Sequence, residues 1–183
     1  TMAAIACLQM GVDVEQLEQA MRNFVPPLRR LQVLATWYGA TVIDDFAHHP
    51  TAIEATIGAL KQRYPDANLH VCFEPRSNTT TRSFFQKQLS ECFDGCASVC
   101  IGPVNRPERY QPVDRLDTAL LKSTIESRGS EVLVIDSSLA SSAWGNDVAD
   151  WFKGRVRNGD VVAVLSNGDA GGLRKLLCEV IVG

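Results

Sequence analysis

No GxxxxGK[ST] run occurs in the 183 residues, so they contain no self-sufficient phosphate-cradling P-loop. Basic residues do not dominate: 18 Lys and Arg against 21 Asp and Glu leave a net charge of −3, which provides no footprint for a nucleic-acid backbone. No apolar run approaches the roughly 20 residues needed to span a bilayer. The longest, such as EVLVID and DVVAVLSNG, have the length of strands. No basic-then-apolar leader opens the sequence, so a cytoplasmic location is expected. Six cysteines are too few for a disulfide scaffold, and none forms a CxxC pair. Three thiolates at Cys92, Cys96 and Cys100 raise a zinc or iron site, but DGCASVCIGP reads as a turn at Asp94-Gly95 followed by a strand, so no metal is expected. Repeats and low-complexity stretches are missing as well.

What is present is ordinary globular composition, 45% hydrophobic and 21% charged, at a length that suits one domain with an appended piece. Residues 1–29 read as that piece, the tail of another domain. Two short helices hinge at Gly11, with Leu17, Ala20, Met21 and Phe24 on one face, and Pro26-Pro27 ends the helical pattern. From residue 30 to 183 the pattern changes. LQVLATWYG and ATVIDDF alternate as two strands joined near Gly39. Helices are expected at Thr51–Arg63, Arg82–Phe93, Asp114–Ser127, Leu139–Phe152 and Gly172–Ile181, between strands at Asn68–Phe73, Ala97–Ile101, Glu131–Ile135 and Asp160–Leu165. Strands such as VVAVL are apolar on both faces, as a parallel sheet covered on both sides requires. The expected fold is α/β, a Rossmann-like doubly wound, mostly parallel sheet.

In such sheets ligands bind beyond the carboxyl ends of the strands, which singles out DDFAHHPT, FEPRSNTTTR, IGPVNRPERY and LSNGDAGG. DDFAHHPT concentrates carboxylates and imidazoles in a strand-to-helix turn with Pro50 at the helix start. Its readings are a metal site from Asp45, His48 and His49, a general base, or a capping turn. Adjacent histidines on an extended turn point apart, which disfavours the metal. FEPRSNTTTR offers Arg76 and helix-terminal amides to an anion, or else Thr79 to Thr81 simply cap a helix. LSNGDAGG is glycine-rich but lacks both GxGxxG and a lysine.

DDFAHHP is similar to the D-x-A-H-x-P turn that opens the third domain of the Mur ligases, and Arg30, before an apolar strand, resembles the arginine that ends their central domain. The resemblance covers essentially the whole chain, with residues 1–29 matching the end of the ATPase domain and 30–183 the C-terminal domain. It implies a part of an ATP- and Mg²⁺-dependent ligase, whose missing domains hold the P-loop and the UDP-N-acetylmuramoyl substrate. By position, it implies that Arg30 and Asp45 contact the nucleotide and that His48 faces the reacting phosphate. Arg76, Ser77, Asn78, Thr79, Ser166, Asn167 and Gly168 would line the incoming-amine pocket. FEPRSNT, DDFAHHPTAI and the SNG-x-x-GG turn resemble the branch that adds a preformed L-alanyl-γ-D-glutamyl-meso-diaminopimelate tripeptide. The alanine-adding branch reads FQPHRYTRT, with two arginines where this chain has Ser77 and Thr80. In a tripeptide the alanine carboxylate is already an amide, and a full cationic clamp there would cost desolvation without an anion. The alternatives are an alanine-adding ligase and a Rossmann-like binding module without catalysis.

Overall fold

A computed structural model describes residues 2–25, 27–139 and 143–179. The first two helices, α1 (Met2–Gln9) and α2 (Val14–Arg22), hinge at Gly11, whose φ of +90° suits a residue without Cβ. Asp13 caps α2 by accepting from Gln16 N at 2.8 Å. Neither helix buries a residue, and Met21 and Phe24 stay exposed.

A hairpin follows, β1 (Gln32–Trp37) and β2 (Ala40–Asp45). Its two-residue loop carries positive φ at both Tyr38 (+48°) and Gly39 (+81°), the pattern whose twist matches paired strands. A Cβ on Gly39 would also lie 2.5 Å from Asn158 Oδ1. The remaining elements are α3 (Pro50–Arg63), β3 (Leu69–Phe73), α4 (Gln86–Glu91), β4 (Ser98–Ile101), α5 (Thr118–Ser127), β5 (Glu131–Val134), α6 (Gly145–Lys153), β6 (Val161–Leu165) and α7 (Leu173–Cys178).

The six strands order as β1-β2-β6-β3-β4-β5, with only β1 antiparallel. Alternation along β6 divides its side chains between two cores. Val161, Ala163 and Leu165 pack toward α3, α4 and α5, whereas Val162 and Val164 pack toward α6 and α7. The chain runs outward through β3, β4 and β5 and then returns to place β6 between β2 and β3. Right-handed crossovers in opposite directions put helices on opposite faces, which yields the doubly wound architecture expected from the sequence. Cys92 and Cys96 belong to one core and Cys100 to the other, so the three thiols cannot share a metal. Burial in apolar surroundings pushes the Cys96 thiol up to about 12 and raises Cys92 further.

Several helices are shorter than their patterns suggested. The expected helix at Arg82 reduces to a 3₁₀ turn at Ser83–Phe85 and the six-residue α4. Before it, Thr81 Oγ1 donates to Ser77 O at 3.0 Å and Arg82 is extended, bridging to Arg115, so the threonines close a local turn and cap no helix. α5 begins only at Thr118, where Asp117 accepts from Leu120 N, and Asp114 ends a separate single turn. α6 begins at Gly145 rather than near Leu139, with residues 140–142 of that expectation outside the described residues. The last helix spans Leu173–Cys178, and its expected end at Ile181 and Pro26 of the double proline likewise lie outside the described residues.

Candidate functional site

All four strand-end turns meet along one edge of the sheet. Ser166 N donates to Asp45 O (3.2 Å), Glu74 N to Leu165 O (3.1 Å), Gly102 N to Phe73 O (2.8 Å) and Asn105 N to Pro75 O (3.1 Å). The DDFAHHPT, SNG, FEPR and GPVN segments therefore lie side by side at the β2, β6, β3 and β4 ends. This is where the strand order reverses, the usual ligand crevice of an open α/β sheet.

In DDFAHHPT, adjacent residues point to different partners. Asp45 is 4% exposed, and its oxygens accept from Leu31 N (2.7 Å), Ala47 N (2.8 Å) and Thr56 Oγ1 (3.3 Å). The side chain expected at a nucleotide also shapes the turn. Asp44, which sequence reasoning passed over, is 2% exposed and pairs with two arginines, Arg29 Nε at 3.2 Å and Arg174 Nε at 2.6 Å. Both guanidiniums continue to the carbonyls of Ser166 and Gly168, which clamps the SNG turn. Arg29 reaches inward from a left-handed backbone (φ +60°), while Arg30 stays exposed with its guanidinium 5.6 Å from the centre of the Phe46 ring. Arg30 also borders a hollow of about 280 Å³ with Val25, Pro27, Leu28, Leu31 and Gln32.

His48 Nδ1 lies 2.8 Å from Phe46 O. A carbonyl only accepts, so Nδ1 carries a proton and Nε2 makes no hydrogen bond among the described residues. His49 turns away to meet Phe85 edge-on at 4.8 Å, as adjacent histidines in an extended turn must. It precedes α3 without a side-chain cap, and Pro50 opens the helix, so the capping reading of this turn fails. Among the described residues no group of three or more His, Cys, Asp or Glu is placed to hold a metal ion.

The FEPR and SNG turns are joined by another residue that sequence reasoning passed over. Glu74 is 6% exposed and accepts from Ser166 Oγ and from Ala170 N (3.3 Å), with Arg76 Nη1 at 3.5 Å. Ser166 is wholly buried, and its hydroxyl also accepts from Gly168 N at 2.8 Å. Ser77 and Thr80 bond each other through their hydroxyls at 2.8 Å. Asn78 Oδ1 accepts from Tyr110 at 3.5 Å, and Thr79 is exposed. Asn167 Oδ1 is buried with no hydrogen-bond partner. Beneath the turn, Gly171 (φ +59°) lies against Trp144, where a Cβ would come within 2.6 Å of the indole.

The family model described as Mur ligase, glutamate ligase domain matches residues 29–168. The chain belongs to that family. UDP-N-acetylmuramate–L-alanine ligase from Chloroflexus aggregans is 32% identical over 171 residues, which cover 93% of this chain and 34% of the relative. The murein peptide ligase structure from Psychrobacter arcticus superposes with a TM-score of 0.63 at 24% identity, covering 99% of this chain and 36% of that one. The UDP-N-acetylmuramate–alanine ligase structure from Thermotoga maritima gives a TM-score of 0.69 at 16% identity, covering 96% and 35%. These two likenesses establish the fold. The Mur ligase chain described here spans about a third of the length of the curated relatives it matches. No helix among its described residues is long and apolar enough to cross a membrane.

Proposed function

We propose that this chain is the C-terminal domain of an ATP-dependent ligase that joins L-alanyl-γ-D-glutamyl-meso-diaminopimelate to UDP-N-acetylmuramate in peptidoglycan recycling, in the cytoplasm. The γ-phosphoryl group of ATP passes to the muramoyl carboxylate, releasing ADP. The tripeptide amine attacks the acyl phosphate, phosphate leaves the tetrahedral intermediate, and the amine gives up its proton. ATP and Mg²⁺ are held mainly by the missing central domain, so the fragment alone is inactive. The carboxylates of Asp44 and Asp45 hold the fold together beneath the turns, Asp44 with Arg29 and Arg174 and Asp45 with Leu31 N and Ala47 N.

His48 and Arg30 are the groups of this chain assigned to the phosphate and nucleotide. His48 has Nε2 available, and Arg30 makes no hydrogen bond among the described residues. Arg76, Ser77, Asn78, Thr79, Asn167 and Gly168 form the amine side, with Ser166 and Asp45 holding the turns in place. One observation carries the choice of amine. Ser77 and Thr80, at the positions of two arginines in the alanine-adding pattern, satisfy each other and offer no cation to a single amino acid's carboxylate.

The curated relatives favour a second reading, since the one described above is an L-alanine ligase. Phosphate release by the full-length protein with ATP, Mg²⁺ and UDP-N-acetylmuramate separates the two. Release with tripeptide and not with L-alanine is expected; release with L-alanine alone would replace the first reading by the second. A full-length protein that releases none with either amine would leave the binding-module alternative.

A further inference from the structure

Resting on that reading, we infer that Glu74 is the positioning residue that sets Arg76 against the SNG turn as the receiver of a distal peptide carboxylate. Glu74 is the first residue beyond β3, and its buried carboxylate touches both turns at once. Oε2 takes the Ser166 hydroxyl and Ala170 N, and Oε1 faces Arg76 Nη1 at 3.5 Å. Ser166 passes the restraint to Gly168 N.

Gly168 makes room for the arginine. A Cβ there would lie 2.6 Å from both Cδ and Nη1 of Arg76, so the guanidinium rests directly on the turn. Arg76 is 45% exposed and has no partner other than Glu74 among the described residues. One nitrogen is thereby oriented while Nε and Nη2 remain unspent, the edge that grips a carboxylate in two parallel bonds. That free donor edge suits the carboxylate of a peptide. A glutamine at 74 would still accept from Ser166 and Ala170 but would turn an NH₂ toward Arg76 and lose the attraction.

The test is steady-state phosphate release by full-length wild type and Glu74→Gln, with the tripeptide and with a tripeptide whose distal carboxylates are amides. A lost charge-assisted contact is expected to raise KM for the free tripeptide about tenfold. kcat should stay within about threefold, and KM for ATP and for UDP-N-acetylmuramate should not move. The amidated peptide should serve both enzymes with equal KM. Arg76→Gln, a half-exposed change, should reproduce the effect, and the double variant should be no worse than either single one. Wild-type KM for free tripeptide in either variant, or an equal rise for free and amidated peptide, would overturn the role of Glu74. A wild type that works with L-alanine and not with tripeptide refutes the substrate reading itself, whereas a tripeptide-dependent wild type with indifferent variants refutes Glu74 alone.

Discussion

Asp44→Asn tests whether the clamp on the SNG turn is electrostatic. Asp44 is 2% exposed, with Arg29 Nε and Arg174 Nε at 3.2 and 2.6 Å on its two oxygens. Asparagine keeps the shape and one acceptor but turns an NH₂ toward a guanidinium that already donates. Breaking a fully buried pair costs about 3–5 kcal/mol. The two guanidiniums are 29% and 17% exposed and keep their carbonyl partners on Ser166 and Gly168. Residual hydration reduces the expected loss to about 2 kcal/mol. For a domain of this size that lowers Tm by about 4–8 °C, measurable by scanning calorimetry of the 183-residue chain. A second arm isolates the pair: Arg174→Met should cost less in the Asp44→Asn background than in the wild type. A Tm shift below about 1 °C, or strict additivity of the two changes, would refute the clamp.

Three further outcomes are expected. His48→Ala in the full-length protein should lower turnover by roughly a hundredfold while leaving its melting temperature nearly unchanged, since the imidazole makes one local hydrogen bond; undiminished phosphate release would reduce His48 to a turn residue. Burial alone would raise the Asp160 pKa, but hydrogen bonds from Arg157 N, His70 and Asn68 outweigh it and hold the carboxyl below its usual range. Its stabilisation is therefore complete above the unfolded pKa of about 3.9 and fades as pH falls through the lower folded value; urea midpoints of Asp160→Asn should show a shallower acid-side slope than the wild type, and parallel curves would contradict this. Maleimide should label Cys7 and Cys178 in the native chain and leave Cys72, Cys92, Cys96 and Cys100 unreacted, because those four thiols are buried; mass spectrometry showing early modification of Cys92 or Cys96 would sink the packing described.

Local chemistry was readable wherever it acts over a few residues. Alternation and Gly39 declare the hairpin, Pro50 declares the start of α3, and apolar runs such as Val161–Leu165 declare strands covered on both faces. The strand-to-helix turns that gather at one edge of the sheet were readable too, because alternating strand and helix signals place each of them just after a strand. What stayed hidden depends on direction and distance. Arg29 and Arg30 are the same residue type side by side, and only the left-handed backbone at Arg29 sends that guanidinium to Asp44. Asp44 and Asp45 sit on opposite faces of one strand, so one meets arginines while the other holds its own turn. Glu74 looks like one more polar loop residue until β6 settles beside β3 and brings Ser166, 92 positions away, onto its carboxylate. Residue pattern alone determined the class of fold and which turns follow its strands. The pairing of strands distant in sequence decided which charges are paired inside the fold and which stay free at its surface, because those partners meet only once the sheet is assembled.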